Sequence, residues 1–375
     1  MKRAASALGL LLVCAASFEL ATRVQDWVRY RMPLLSTVTS EEELMMRDRD
    51  GAHGRPNAQF KKWAMDSLGF LGPDVAVHGA GGTVRVIVVG ASESFGLYES
   101  PNEEYARELE DTLNARVGAG ACAGSTTTRF EVLNDALPGM SLPTARQDIR
   151  NRLVRFTPDV IVYYPSPAQY LEDRLPFATP PDTSAPKGNV KISALRALHP
   201  RSLDVIRDEV RQLAPQLLLK WFRERAAADE RKRHPADWVF TSVPSARMSV
   251  FDADLRSLIG VMRAQGAEPV LATHATAFER HRADSAELAQ SWERFYPRAS
   301  GTTIIHFDDS ARLTTMRAAS DSAVILADVH AMFAAANGDN FVDFVHFTDA
   351  GSARVAHVLA EAVLTAAARR HECAP

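Results

Sequence analysis

Cysteine is scarce in this chain, with three residues in 375: Cys14, Cys122 and Cys373. No C-x-x-C or comparable spacing exists, so no cysteine-based metal site is expected. Cys122 and Cys373 are free to pair if the chain is exported. Two separate thiols are an equal reading, because two cysteines alone fix no geometry. Charge of either sign is not in excess: 43 Lys and Arg stand against 46 Asp and Glu, a formal net charge of −3. That leaves no basic face of the kind nucleic acid requires and excludes it as a partner. What is present is enough apolar material for a sizeable core, 46% of residues, in a length that suits one large domain or two modest ones.

One apolar run stands out, Ala4 to Phe18, preceded by Lys2 and Arg3 and followed by Arg23, Arg29 and Arg31. It suits a signal-peptide core or a short anchor, with Glu19 near its end, where a polar head reaches the interface. The expectation is an uncleaved N-terminal membrane segment, with a cleaved signal peptide as the alternative. The basic flank before the run favours an exported body on the periplasmic side of a cell envelope. Residues 1–34 are then the signal or anchor and juxtamembrane start, 35–82 a polar connector and lead-in, and 83–370 the main domain.

From Val84 the pattern becomes regular. Short β-branched runs at 84–89, 130–133, 158–164, 269–273 and 324–328 predict buried strands. Helical stripes at 103–116, 144–156, 250–265, 285–296 and 352–368 separate most of them. Residues 173–247 interrupt the rhythm. They begin with Pro176, Pro180, Pro181 and Pro186 and continue as a charge-rich helical stretch, 202–232, with Pro215 inside it. The apolar cluster Leu217 to Leu219 with Trp221 and Phe222 reads as part of a helical hairpin, or else as a lid or membrane-surface element. Strands alternating with helices imply a parallel sheet covered on both faces, with ligands beyond the carboxyl ends of its strands.

The chemistry-bearing residues fall at such ends. Ser92 follows the first strand in Val-Ile-Val-Val-Gly-Ala-Ser-Glu-Ser-Phe-Gly, Val86 to Gly96. Far downstream, Asp343-Phe-Val-His346 places a carboxylate and an imidazole three residues apart. A serine hydroxyl needs a base to take its proton, and the base needs an orienter. His346 and Asp343 are the candidates. The main-chain N–H of Ser92 and that of Gly139 are candidate oxyanion donors, since glycine lets a substrate oxygen approach the backbone. Each residue also has a plain structural reading. Ser92 is a candidate helix N-cap, Asp343 an Asx-turn acceptor, His346 a half-buried polar contact, and His274 a loop histidine at a fourth strand end.

With these residues in view, the chain resembles an SGNH, or GDSL-type, hydrolase. The first block of that family, Gly-Asp-Ser with a glycine four residues on, is similar to Gly90-Ala91-Ser92 and Gly96. Its second block resembles Asn134-Asp-Ala-Leu-Pro138-Gly139. Its last, Asp-x-x-His, matches Asp343 and His346 with the trailing Phe-Thr-Asp-Ala-Gly351. Asp66-Ser-Leu-Gly-Phe70 resembles the lead-in of membrane-anchored members. The likeness covers roughly residues 66–368, with 173–247 as an insertion. It implies a Ser92–His346–Asp343 triad, an oxyanion glycine at Gly139, and ester or O-acetyl substrates, including those on cell-envelope glycans, with no metal or organic cofactor.

The third block departs. Where the family carries Gly-x-Asn-Asp or Gly-x-Asn-Glu, this chain has Pro165-Ser166-Pro167-Ala168-Gln169-Tyr170, and Ala168 takes the place of the oxyanion asparagine. Loss of one such donor costs about 2.7–4 kcal/mol in the transition state. Ser166, Gln169 and Asn134 are the candidate substitutes. The expected fold is α/β: a three-layer sandwich with a parallel, flavodoxin-like sheet of about five strands and a mainly helical insertion. The expected function is an exported serine esterase or acyl hydrolase acting on an ester-bearing small molecule or glycan. The alternatives are a polysaccharide O-acyltransferase with the same triad and a catalytically impaired scaffold. No protein partner is indicated.

Overall fold

The structure, a computed structural model, describes residues 2–175, 200–213, 225, 228–229, 231–278, 285–335, 339–370 and 373. The chain begins with helix α1 (Lys2–Tyr30) and two short antiparallel hairpins. In these, β1 (Met45–Arg47) pairs with β2 (Ala52–Gly54) and β3 (Gln59–Phe60) with β4 (Trp63–Ala64). The alternating region follows: β5 (Thr83–Gly90), α2 (Ser92–Phe95), α3 (Tyr105–Gly118), β6 (Arg129–Asn134), α4 (Leu142–Asn151) and β7 (Val160–Tyr164). After α5 (Arg201–Leu213) come α6 (Ser245–Ala264), β8 (Glu268–Ala272), α7 (Ser285–Phe295), α8 (Gly301–Asp321), β9 (Ile325–Ala327), α9 (Val329–Ala335) and α10 (Asp349–Arg369).

The main sheet has five parallel strands in the order β6-β5-β7-β8-β9. Period-2 alternation decides its two faces. Val84, Val86 and Val88 of β5 pack with Leu109 and Leu113 of α3 and with Val355, Leu359 and Val363 of α10. Ile87 and Val89 join the other layer, with Ile149 of α4, Leu255, Leu258 and Met262 of α6, and Ile304 and Phe307 of α8. The result is the expected three-layer α/β sandwich. The direction of strand addition reverses between β5 and β7, so the crevice at their carboxyl ends is a topological switch point. Register aligns those ends: Asn134 lies beside Val88 and Tyr164 beside Gly90.

Three regions differ from the sequence reading. Helix α8 spans a stretch with no expected element. Beyond Ile304 and Phe307 its buried face carries Thr303, Asp308, Ala311, Thr314, Thr315 and Ala318 rather than a leucine stripe, so hydrophobic periodicity is weak there. The stretch read as a connector contains the hairpins, and Leu71 bridges Asn134 beyond the sheet edge. The expected helix 144–156 ends at Asn151, followed by a 3-10 turn, Leu153–Phe156.

Cys122 and Cys373 form a disulfide, and Cys14 is exposed and free. Among the described residues, which omit the side chains of 1–5 and 8, no helix is long and apolar enough to cross a membrane. Helix α5 packs on α1, with Arg201 paired to Asp26 at 3.1 Å and the Ser202 N–H donating to Glu19 at 2.9 Å. Most of the proline-rich segment, along with Pro215, Leu217 to Leu219, Trp221 and Phe222, lies outside the described residues.

Candidate active site

Strand β5 ends at Gly90, where the chain turns into the single turn of α2. A Cβ on Gly90 would lie 2.0 Å from Ser94 Oγ and 3.1 Å from the Tyr164 carbonyl oxygen, so only glycine fits. Gly96 closes the turn with φ +76°, a conformation that favours glycine. The residue that caps α2 is Ala91, which has no side-chain donor or acceptor. Ser92 therefore does not spend its hydroxyl as a cap. Its Oγ lies 2.9 Å from His346 Nε2.

His346 sits in a tight loop fastened by a Phe341–Phe347 bridge and by the Val342 N–H donating to its carbonyl at 2.8 Å. Asp343 serves both readings made of it. Its Oδ1 accepts the N–H groups of Val345 and His346, each at 2.9 Å, and closes an Asx-type turn. Its Oδ2 lies 2.8 Å from His346 Nδ1. The motif that trails the histidine has its own structural reasons. Thr348 caps α10 by accepting the Gly351 N–H at 3.1 Å, Asp349 accepts the Ser100 N–H at 2.7 Å, and a Cβ on Gly351 would strike the Asn340 carbonyl.

The electrostatics suit proton transfer. Burial alone would lower the His346 pKa, but the hydrogen bond to Asp343 and the charges of Glu93, Asp343 and Glu99 outweigh it and raise the pKa above the ordinary histidine value. Burial would raise the Asp343 carboxyl, but hydrogen bonds from the His346 ring and from the His346 and Val345 main chain, with the imidazolium charge, hold it below its usual range. A carboxylate aligned on Nδ1 fixes the tautomer that leaves Nε2 free to accept the serine proton.

The four oxyanion candidates fare differently. Gly139, at φ +80°, sits in a loop pinned to the nucleophile strand: the Asp135 N–H donates to the Val88 carbonyl at 2.9 Å and the Leu137 N–H to that of Gly90 at 3.2 Å. The N–H groups of Gly139 and Ser92 donate to no described residue. Each of the other three already donates one hydrogen bond, which uses the single donor of Ser166 and one of the two amide N–H groups of Asn134 and of Gln169. The Asn134 amide donates to the Ser94 carbonyl at 3.0 Å, the Ser166 hydroxyl to Glu93 at 3.1 Å, and the Gln169 amide to the Met140 carbonyl at 3.2 Å. Gln169 thus steadies the loop that carries Gly139. Ala168 is buried and packs in the core, so no donor occupies its place.

Neither Glu93 nor Asp308 is among the site candidates read from the sequence. In the structure Glu93 is buried at 2% exposure, with Oε2 3.2 Å from Ser92 Oγ and Oε1 3.4 Å from His274 Nε2. His274, also 2% exposed, places its Nδ1 2.7 Å from Asp308 Oδ1. Burial would lower the His274 pKa, but Asp308 and Glu93 overcome it and raise the pKa to about 10. Burial would raise that of Glu93, but His274 and His346 hold it low. Two residues of the rim also escaped notice. Tyr98, 54% exposed, stands edge-on to the His346 ring at 5.1 Å. Buried Glu99 is pushed up to about 7, chiefly by desolvation.

The fold and this constellation define a class: a parallel three-layer α/β protein with a serine–histidine–aspartate chain at the switch point of its sheet. Among solved structures, the chain is similar to an acetyl xylan esterase, AlAXEase, with 15% identity and a TM-score of 0.42, covering 75% of this chain and 100% of that one. It is also similar to a lipase/acylhydrolase from Enterococcus faecalis, with 12% identity and a TM-score of 0.41, covering 75% and 96% of the two chains. A third, the Axe2 acetyl-xylooligosaccharide esterase from Geobacillus in its R55A form, has 14% identity and a TM-score of 0.39 over 75% and 93%. No family model and no curated protein matches the sequence.

Proposed function

We propose that the chain is a serine ester hydrolase. The single observation that carries the reading is the unbroken hydrogen-bonded chain from Asp343 through His346 to Ser92. In this mechanism His346 Nε2 takes the hydroxyl proton as Ser92 Oγ attacks the ester carbonyl, and Asp343 stabilises the imidazolium. The N–H groups of Ser92 and Gly139 receive the developing oxyanion. Collapse of the intermediate expels the alcohol, which takes the proton from His346. Water, deprotonated by the same imidazole, then releases the acid. The substrate class is an ester or O-acyl group on a small molecule or glycan.

An exported body remains part of the proposal, with residues 1–34 as its membrane tether, 35–82 as its lead-in and 83–370 as the catalytic domain. The Cys122–Cys373 bridge supports an oxidising compartment. The exposed Leu10, Leu11, Leu12 and Val13 on α1 support contact with lipid. A fusion of alkaline phosphatase after residue 34 tests export: activity of the fusion in cells supports it, and a silent fusion at normal expression contradicts it.

One observation favours a second reading, a scaffold with little turnover. Ala168 offers no donor, the Ser166 hydroxyl is spent on Glu93, and Asn134 and Gln169 each have one of their two amide N–H groups engaged. Release of nitrophenol from short acyl esters by wild type, absent in Ser92→Ala, supports the hydrolase. Equal rates in the two proteins refute it. An acyl group that accumulates on Ser92 and leaves only when a sugar is added identifies an acyltransferase instead.

A further inference from the structure

Two hydrogen-bonded chains meet at one hydroxyl. From the rim come Asp343 and His346; from the interior come Asp308, His274 and Glu93. Ser92 has a single hydroxyl proton and two acceptors within reach, His346 Nε2 at 2.9 Å and Glu93 Oε2 at 3.2 Å. It can donate to one at a time. When His346 is protonated its Nε2 is a donor, and the serine oxygen accepts from it. The hydroxyl proton must then point elsewhere, and Glu93 is the acceptor in place. Glu93 itself cannot swing away, because Oε1 is held by the Ser166 hydroxyl at 3.1 Å and by the His274 ring at 3.4 Å. Behind it Asp308 fixes His274, and the Tyr164 ring lies against His274 with centroids 5.6 Å apart.

We propose that Glu93, anchored by the buried His274–Asp308 pair, is a positioning residue for the nucleophile: it accepts the Ser92 hydroxyl while His346 carries a proton and yields it when His346 loses that proton. The inference deepens the serine-hydrolase reading and rests on it for its meaning in catalysis. No bond to carbon is made in the swing. One hydrogen bond, Ser92 O–H to Glu93, is exchanged for another, Ser92 O–H to His346 Nε2, as the Nε2 proton leaves to solvent. The charged groups around His346 are Asp343 on its own loop and Glu93 and Glu99 on the segment after β5. Those around Glu93 are His274 after β8 and His346; it also opposes ionisation of Tyr105, Tyr163 and Tyr296, which stay neutral phenols. The arrangement also gives the departing third block a use, since Ser166 is one of the two groups that hold Glu93.

Two readouts test this without reference to turnover. In full-length protein labelled with 15N-histidine, Glu93→Gln keeps the shape and removes the charge, and the His346 titration midpoint falls by about one unit. Glu93→Asp, which keeps the charge, stays close to wild type. An unchanged midpoint in Glu93→Gln overturns the inference. Neutron diffraction of wild-type crystals needs no variant and so survives a folding failure. It is expected to place the Ser92 deuterium toward Glu93 at acid pD and toward His346 at alkaline pD. The same acceptor at both overturns the inference. Nitrophenol release enters neither readout, so failure of the esterase reading is recognised separately.

Discussion

The two chains that converge on Ser92 each contain an aspartate–histidine pair and differ in burial. The outer one, Asp343–His346, lies at the rim, its side chains 24% and 13% exposed. The inner one, Asp308–His274–Glu93, lies in the packed interior with no more than 7% of any side chain exposed. Exposure decides what each can do. The outer imidazole exchanges its proton with solvent and substrate, as a general base must. The inner imidazole is held charged between two carboxylates and cannot cycle near neutral pH. One is suited to moving a proton, the other to holding a carboxylate still.

If that contrast is right, equivalent substitutions in the two arms have different signatures. Asp343→Asn produces the largest effect, a fall in kcat of roughly 10³–10⁴ from loss of the correct tautomer, with the melting temperature nearly unchanged because asparagine keeps the Oδ1 acceptor that closes the turn. A fall of less than tenfold, measured with nitrophenyl acetate, would break the comparison. Asp308→Asn does the reverse. It leaves the buried His274 imidazolium short of a partner and destabilises the fold by about 3–5 kcal/mol in urea unfolding. A stability loss below 1 kcal/mol would mean that the inner arm is not charged.

The inner arm also sets a pH dependence. The His274 pKa is raised from 6.5 in the unfolded chain to about 10 in the folded one. Its contribution to stability is therefore fully present below about pH 6.5 and is lost as pH rises through about 10. Melting temperature falls across that window in wild type, and His274→Asn flattens the slope. A wild-type curve that rises from pH 7 to 9 contradicts the assignment. The smallest effect sharpens the rim. Tyr98→Ala removes an edge contact on His346 worth about 0.5–1.5 kcal/mol, seen as a loss of a few-fold in kcat/KM with stability retained.

The same contrast explains what was legible in the sequence. Ser92 was visible because a glycine that admits no Cβ must stand before the turn, and a second at positive φ must close it. Asp343 and His346 were visible because a three-residue spacing in a tight loop leaves a pattern, and the capping Thr348 and close-packed Gly351 extend it. The strands were legible as β-branched runs. The inner arm left no pattern, since its members come from α2, the loop after β8 and the middle of α8, far apart in the chain and joined only by packing. Helix α8 was itself hidden, because beyond Ile304 and Phe307 it buries threonine, alanine and aspartate rather than leucine. The roles offered for Asn134, Ser166 and Gln169 followed from their position at strand ends. Position alone does not reveal that Ser166 spends its one donor on Glu93, or that Asn134 and Gln169 each give one amide N–H to Ser94 and Met140.

The central claim is that Ser92 is an activated nucleophile, and covalent capture tests it most directly. A fluorophosphonate probe followed by peptide mass spectrometry is expected to label wild type at Ser92, faster as pH rises through the His346 titration, and to leave Ser92→Ala unlabelled. Absence of label on folded wild-type protein, or label on another residue, would contradict the account.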